Sequence, residues 1–559
     1  MSPLPGLMQH DHPLTIAGLV RRMATVTARS EVVDFRADGR TTRRSFAGVA
    51  DRAARLGAHL GALGVREGDR VATLAWNSAQ HLEAYLGIPA IGAVLHTVNL
   101  RLTPEHLTYV LNHGGARVLL VDRTLLGLLE AVADDLTELE HLVLLGEGPE
   151  PGAALERFRS EDLDAALADV APLAAWPEVD DRAAAALCYT SGTTGNPKGV
   201  LYSHRSSVLH ALAAGMVDTL AVGRGDRVLP IVPMFHANAW GLPYACALTG
   251  ASLVFVGRDM SAATIAAAIA AERVTIAAGV PTIWMDLLRY AEQHEVDVSS
   301  LRCAPCGGAA VPRALMEGFE RRLGAEIVQA WGMTETSPLG AVARVPEDVP
   351  EEERWARRLA QGTIAPLVEA RLVDDAGVEQ PWDGTSEGEL QVRGPWIAAG
   401  YYRDPDASEE AIDDGWLRTG DVATIDDRGT LRLTDRAKDI IKSGGEWISS
   451  VALEGELLAH PEVLEAAVIA HPDERWTERP LACVVLAPRA TAGPAELRAF
   501  LAERVARWWV PERFAFIEEV PKTSVGKFDK KVLRARLAEG ALAVCVDGTG
   551  VAASASTGR

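Results

Sequence analysis

Between residues 45 and 122 the chain alternates apolar runs of strand length with longer stretches of helical period, and this constrains its fold more than any other feature. "RVATLAW" (Arg70–Trp76) and "ARVLLVD" (Ala116–Asp122) read as strands, and "SFAGVADRAARLGAHLGALG" (Ser45–Gly64) reads as a helix. Such alternation implies βαβ units and a largely parallel sheet covered by helices. A second α/β run begins near Asp181, after "APLAAWPEVDDR", and holds "RVLPIVP" and the Ala-rich "SAATIAAAIAAERV". From about Pro366 to Thr434 the pattern changes to short strands, "EARLVDDAGVE", "GELQVRG" and "VATIDDRGTLRLTD", with "DDAG" and "DDRG" as hairpin turns.

The expected architecture is α/β: a large N-terminal domain over 1–435, made of layered α/β subdomains (about 1–180 and 181–365) and a small β subdomain (366–435), then a small α+β C-terminal domain over 442–540. At 559 residues, three or four folding units fit the prior of about 150 residues per domain. The tail, residues 541–559, is rich in small residues and is expected to be disordered.

A formal charge of −21 sets up a field that repels nucleic acid and anionic membranes, so any phosphate-bearing ligand has to be held by local groups. The N-terminus places Pro, Asp and His where a secretion signal needs an unbroken apolar run. The longest apolar run, "GLPYACALTGASLVFVG" (residues 241–257), contains Pro243 and Gly250 and predicts a buried helix and strand, not a membrane span. Six cysteines in so long a chain form no disulfide framework and fit a reducing, cytoplasmic compartment. "CAPC" (Cys303–Cys306) has redox spacing but runs into "GGAAVP", outside a thioredoxin-like context.

The chemistry concentrates in "YTSGTTGNPKGV" (Tyr189–Val200). Gly192 and Gly195 let the backbone approach a ligand, Thr190, Ser191, Thr193 and Thr194 offer hydroxyls, and Lys198 adds a positive charge, a combination suited to phosphate oxygens. It is not a P-loop NTPase motif, because Lys198 is followed by Gly199 instead of Ser or Thr.

This loop closely resembles the phosphate-binding signature of the adenylate-forming superfamily: acyl-CoA synthetases, amino-acid adenylation domains and luciferases. "QAWGMTETSP" (Gln329–Pro338), "TGD" with Asp421, "DRAKD" with Arg436, and "PKTSVGKFDKK" with Lys527 are similar to the later signatures of that family and stand in its order. The resemblance spans about residues 15 to 536 and implies ATP and coenzyme A as co-substrates and Mg²⁺ as cofactor. It assigns Thr334 to the α-phosphate, Thr190 and Glu335 to the metal, Asp421 and Arg436 to the ribose, and Trp331, where the family usually has Tyr, to adenine. Gly308, Gln329, Lys438 and Lys442 join the nucleotide set by the same resemblance. Lys527 is the lysine that contacts the acid carboxylate and phosphate during adenylation. Lys438 sits in a hinge, residues 436–441, about which the C-terminal domain turns between half-reactions, and Gly444, Gly445 and Trp447 belong to the coenzyme A path.

"VPMFHANAWGLPY" (Val232–Tyr244) resembles the matching segment of bacterial medium- to long-chain fatty acyl-CoA synthetases, which places His236 beside the reacting carboxylate and makes Trp240 the gate of an acyl tunnel. The implied reaction joins such an acid to coenzyme A through an acyl-AMP, with release of AMP and pyrophosphate. A ligase for a short-chain or methylthio-substituted acid, an aryl-CoA ligase and an acyl-AMP ligase that loads a carrier protein stay open as alternatives. The resemblance also implies a homodimer. Lys527→Ala is expected to impair adenylation far more than thioester formation from supplied acyl-adenylate; assays of the two half-reactions check this, and equal loss in both overturns it.

Overall fold

The computed structural model describes residues 8–9, 11–190, 196–346, 349–443, 446–473, 475–522 and 528–546. The chain is mixed α/β and divides into a larger unit (residues 1–309, 316–370 and 392–418) and a smaller one (310–315, 371–391 and 419–559).

In the larger unit a seven-stranded sheet runs in the order Arg159–Asp162, His141–Leu145, Val118–Asp122, Arg70–Leu74, Val94–Thr97, Ala184–Tyr189, Gly199–Ser203. Every neighbouring pair is parallel except the last. Successive side chains enter different cores, as the two-residue period of a strand requires. Val118 and Leu120 pack with the helices Phe46–Ala62 and Ala79–Ala90, whereas Leu119 and Val121 pack with the helix Pro104–Gly114. Because both faces are buried, His141–Leu145 and Val118–Asp122 read in sequence as apolar runs.

The helices begin where the sequence supplies a cap. The hydroxyls of Ser45, Ser78 and Thr103 each accept the N–H three residues on. Gly87 is small because Phe46–Ala62 passes against it: a Cβ there would lie 2.7 Å from the Ala53 carbonyl oxygen.

A second sheet, Ile276–Ala278, Arg227–Pro230, Ser252–Phe255, Glu31–Asp34, Thr42–Ser45, is parallel up to its edge strand Thr42–Ser45. The apolar run at 241–257 forms the helix Leu242–Thr249 and the strand Ser252–Phe255, as its sequence predicts. Among the described residues no helix is long and apolar enough to cross a membrane.

In the smaller unit "DDAG" and "DDRG" do turn hairpins, pairing Leu372 with Gln380 and Asp421 with Arg436. A six-stranded sheet follows, with Val463–Asp473 and Thr477–Leu486 as its long antiparallel pair and the helices Ser450–Leu458, Pro494–Ala502 and Lys530–Ala538 beside it. Residues 419–435 group with this sheet because the Ser449 hydroxyl donates to the Thr434 carbonyl at 2.5 Å, and the Ser450 N–H to the Asp435 carboxylate at 2.6 Å.

The tail departs from expectation. Val544–Val546 forms a strand antiparallel to Arg513–Phe516. The open edge of Arg513–Phe516 offers main-chain donors and acceptors, and Leu542 and Val544 pack into the core beside it.

Four buried histidines of the larger unit stay neutral. Burial lowers the pKa of His81, His204 and His210 to about 4 and that of His96 to about 3. Their unfolded value is 6.5, so stability is complete above that pH and is lost as the pH falls toward the folded values, by about 1.4 kcal/mol per pH unit for each histidine. Melting temperature measured from pH 7.5 to 4.5 is expected to drop steeply below 6.5; a flat profile overturns this.

Candidate active site

The strand Ala184–Tyr189 leads into the loop and the antiparallel strand Gly199–Ser203 leads out, with Tyr189 opposite Gly199. The loop is closed at its base. The Thr190 N–H donates to the Lys198 carbonyl at 2.9 Å, and the Lys198 N–H donates to the Thr190 hydroxyl at 3.1 Å. Ser191, Gly192, Thr193, Thr194 and Gly195 lie outside the described residues. Gly199 is hemmed in: a Cβ there would meet Leu187, Tyr402 and Tyr189 at 3.1–3.3 Å. Beneath the loop the Tyr189 hydroxyl lies 2.7 Å from His113 Nδ1.

The second signature leaves the strand Ile327–Trp331 through a turn that only glycine fits, since a Cβ on Gly332 would lie 1.6 Å from the Pro338 carbonyl oxygen. Trp331, expected to stack on adenine, is buried with its ring against Gly340, where a Cβ would lie 2.3 Å from the indole. The Gln329 amide donates to the carbonyls of Leu359 and Ala360 at 3.0 and 2.8 Å. Gly308 is exposed, with φ +87°.

Thr334 and Glu335, both 6% exposed, sit in the short turn Thr334–Thr336. The Tyr202 hydroxyl, from the strand after the phosphate loop, donates to the Thr334 carbonyl at 2.7 Å.

On the other side the turn is stitched to residues 396–401, a stretch the motif reading passed over. The Ala398 N–H donates to the Glu335 carbonyl at 2.8 Å, the Ser337 hydroxyl to the Trp396 carbonyl at 2.7 Å and the Trp396 indole to the Leu339 carbonyl at 2.8 Å. The Tyr401 hydroxyl donates to Glu335 Oε1 at 2.7 Å, and the Lys198 ammonium stands 4.8 Å from the centre of the same tyrosine ring. The next residue, Tyr402, donates its N–H to the Gly199 carbonyl at 2.8 Å. The structure thus brings Thr190, Lys198, Thr334 and Glu335 together through "GYY" at 400–402. Its only sequence signal was a pair of tyrosines after glycine, just past the apolar "PWIAA".

The expected acyl segment has an unusual backbone. Ala237, Asn238, Ala239 and Trp240 take φ of 35°, 43°, 53° and 56°, and Gly241 follows at 66°. Left-handed conformation costs about 1–2 kcal/mol at each non-glycine residue, so tertiary contacts must impose it. The stretch leading into the turn is fixed by Asn77, whose amide nitrogen donates to the carbonyls of Pro230 and Val232, both at 2.9 Å, and whose oxygen accepts the Met234 N–H at 2.7 Å. The Tyr85 hydroxyl donates to the Met234 carbonyl, and the Thr97 hydroxyl to Asn238 Oδ1 at 3.0 Å. His236 and Trp240 are half-buried, and the Trp240 indole approaches Gly307.

Within the smaller unit Asp421 is 2% exposed and pairs with Arg436 Nε at 2.7 Å, its cross-strand partner. Lys442 lies 3.8 Å from Asp375 and 5.6 Å from the centre of the Trp447 ring. Lys438 occupies the exposed turn after Arg436. Gly444, Gly445 and Lys527 lie outside the described residues. Lys530, in a stretch that reads as a charged turn, is instead buried against Glu454 at 2.7 Å and Ser450 at 2.6 Å. Burial opposes its charge, but Glu454 and Asp435 outweigh it and raise the pKa. Arg534 on the same helix holds Asp439 at 2.5 Å.

The chain matches the family model of AMP-binding enzymes over residues 20–402 and that of the AMP-binding enzyme C-terminal domain over 452–527. It is 45% identical over 526 residues to a 3-methylmercaptopropionyl-CoA ligase of Ruegeria pomeroyi, covering 93% of this chain and 97% of that one. It is also 45% identical over 541 residues to a long-chain-fatty-acid–CoA ligase of Thermus thermophilus, covering 96% and 97%. Among solved structures it resembles the anthranilate CoA ligase in complex with anthranoyl-AMP, with a TM-score of 0.85, 29% identity, and 96% and 100% of the two chains covered.

Asn77→Ala leaves two carbonyls and one N–H without their partner in a buried site. A loss of about 2–5 kcal/mol in unfolding free energy is expected, read by denaturant titration; a loss below about 1 kcal/mol overturns the role given to Asn77.

Proposed function

The chain belongs to the family of AMP-binding enzymes, and on that premise we propose that it activates a medium- to long-chain fatty acid as its acyl-AMP and passes the acyl group to coenzyme A. It is an acid–thiol ligase. The observation that carries the nucleotide half of this reading is the joining of Lys198 and Glu335 through Tyr401, which puts a cation suited to phosphate beside a carboxylate suited to a metal.

A free carboxylate is a poor acyl donor because its leaving group would be oxide. Conversion to a mixed anhydride with AMP supplies a good one, and the cost falls on charge that develops at the α-phosphate and on the departing pyrophosphate. Lys198 lies in the loop suited to hold that pyrophosphate, and Lys527 is assigned the developing charge at the reacting centre. Half-buried His236 and the left-handed turn that follows it position the carboxylate, with Trp240 at the mouth of the acyl site. The thiol of coenzyme A then displaces AMP.

Among the described residues no three His, Cys, Asp or Glu side chains converge on a metal site. This fits Mg²⁺, which keeps waters and substrate phosphates as ligands and takes only one or two protein carboxylates. Glu335 and the Thr190 hydroxyl would hold it, and when bound it neutralises charge on the phosphates.

The turn at 436–441 serves as the hinge that exchanges the two half-reactions. Asp435 and Asp439 on either side of Lys438 are bonded to Ser450 and Arg534, both within the C-terminal domain, so turning that domain about Lys438 requires the Asp435–Ser450 bond to break. The nucleotide set further includes Gly308, Gln329, Trp331, Asp421, Arg436, Lys438 and Lys442, and the pantetheine arm passes Gly444, Gly445 and Trp447. We place the enzyme in the cytoplasm as a homodimer; gel filtration at micromolar concentration tests the dimer, and a strict monomer removes it.

The likeness to a 3-methylmercaptopropionyl-CoA ligase, equal in identity to that with the long-chain enzyme, favours a second reading in which the acid is short and bears a thioether. Pyrophosphate release with ATP and Mg²⁺ separates the readings, using acids from acetate to palmitate together with benzoate and methylthiopropionate, with and without coenzyme A. Turnover is expected to peak at medium or long chains and to require coenzyme A; a peak at methylthiopropionate or benzoate overturns the substrate but not the chemistry.

A further inference from the structure

Tyr401 touches two charged groups of opposite sign through different parts of its side chain. Its hydroxyl donates to Glu335 Oε1 at 2.7 Å, while its ring face lies 4.8 Å from the Lys198 ammonium. A carboxylate and an ammonium this close to one residue would ordinarily pair with each other, yet among the described residues Lys198 makes its contact with the ring and Glu335 with the hydroxyl.

The tyrosine itself is held rigidly. Its N–H donates to the Ser408 hydroxyl at 2.8 Å on the helix Pro405–Ala411, and the neighbouring Ala398 N–H fixes the Glu335 backbone.

We propose that Tyr401 is a positioning residue of the nucleotide–metal site. Its hydroxyl orients the Glu335 carboxylate for a divalent cation, and its ring holds Lys198 apart from that carboxylate until nucleotide phosphate takes the ammonium. The proposal rests on the reading that Glu335 holds the metal.

The chemistry assigns the two parts separately. An ionised carboxylate only accepts hydrogen bonds, so one neutral hydroxyl donor on Oε1 fixes its rotation without using its charge, and Oε2 keeps its lone pairs for a cation. The ring attracts the ammonium through its quadrupole and supplies no counter-charge, so phosphate can displace it where a salt bridge to Glu335 would compete.

Tyr401→Phe keeps the ring and removes the hydroxyl, Tyr401→Leu removes both, and Glu335→Gln removes the carboxylate charge. The probes are Mn²⁺, a cation with the same oxygen preference as Mg²⁺, read by electron paramagnetic resonance in the presence of α,β-methylene-ATP, and binding of that analogue alone by calorimetry. Tyr401→Phe is expected to weaken Mn²⁺ binding about tenfold or more while the analogue alone binds within about twofold of the natural chain. Tyr401→Leu is expected to lose affinity for both. If Glu335→Gln weakens Mn²⁺ binding and Tyr401→Phe leaves it within about twofold, the positioning role is overturned while the metal reading stands. If Glu335→Gln itself leaves Mn²⁺ binding unchanged, the metal reading is overturned and this proposal falls with it.

Discussion

The strands at the centre of the larger unit are buried on both faces, and everything polar in the site is arranged around that constraint. Val118 and Leu120 fill one core, and Leu119 and Val121 the other, so the interior of that strand has no room for chemistry. Lys198, Thr334 and Glu335 fall in the loops and turns beyond the strand ends, where main-chain donors and acceptors also need partners. The loop after Tyr189 and the turn after Trp331 are such places.

These loops are held chiefly by hydrogen bonds to the main chain. Asn77 satisfies three backbone groups between Pro230 and Met234, Tyr202 one of the second signature, and the stretch from Trp396 to Tyr402 ties that signature to the phosphate loop. Bonds to backbone fix a loop's path whatever side chains it carries.

The family, and with it the candidate site, was legible in the sequence. A hydroxyl- and glycine-rich loop ending in lysine implies phosphate from residue chemistry alone, and the order of signatures from Tyr189 to Lys531 identifies the superfamily. The supports were not legible. Asn77 lies about 155 residues from the carbonyls it binds, a separation no local pattern encodes. The left-handed turn at Ala237–Trp240 contradicts the preference of alanine and tryptophan and exists because its surroundings impose it. The short apolar run at Val544–Val546 is a strand because the edge of Arg513–Phe516, distant in sequence, recruits it and Leu542 and Val544 pack beside that edge.

By itself the sequence determined the layered α/β class, the hairpin turns, the caps that start the helices and the residue types able to meet phosphate and metal, because each is written in local periodicity or local residue chemistry. Only the tertiary structure decided which charges share a partner. Tyr401 lies 66 residues from Glu335, and Lys530 lies 80 from Ser450, so their pairing depends on how the sheets bring distant segments to one place. Burial then gives those pairings their weight: Lys530 keeps its charge inside the protein because Glu454 and Asp435 are folded against it.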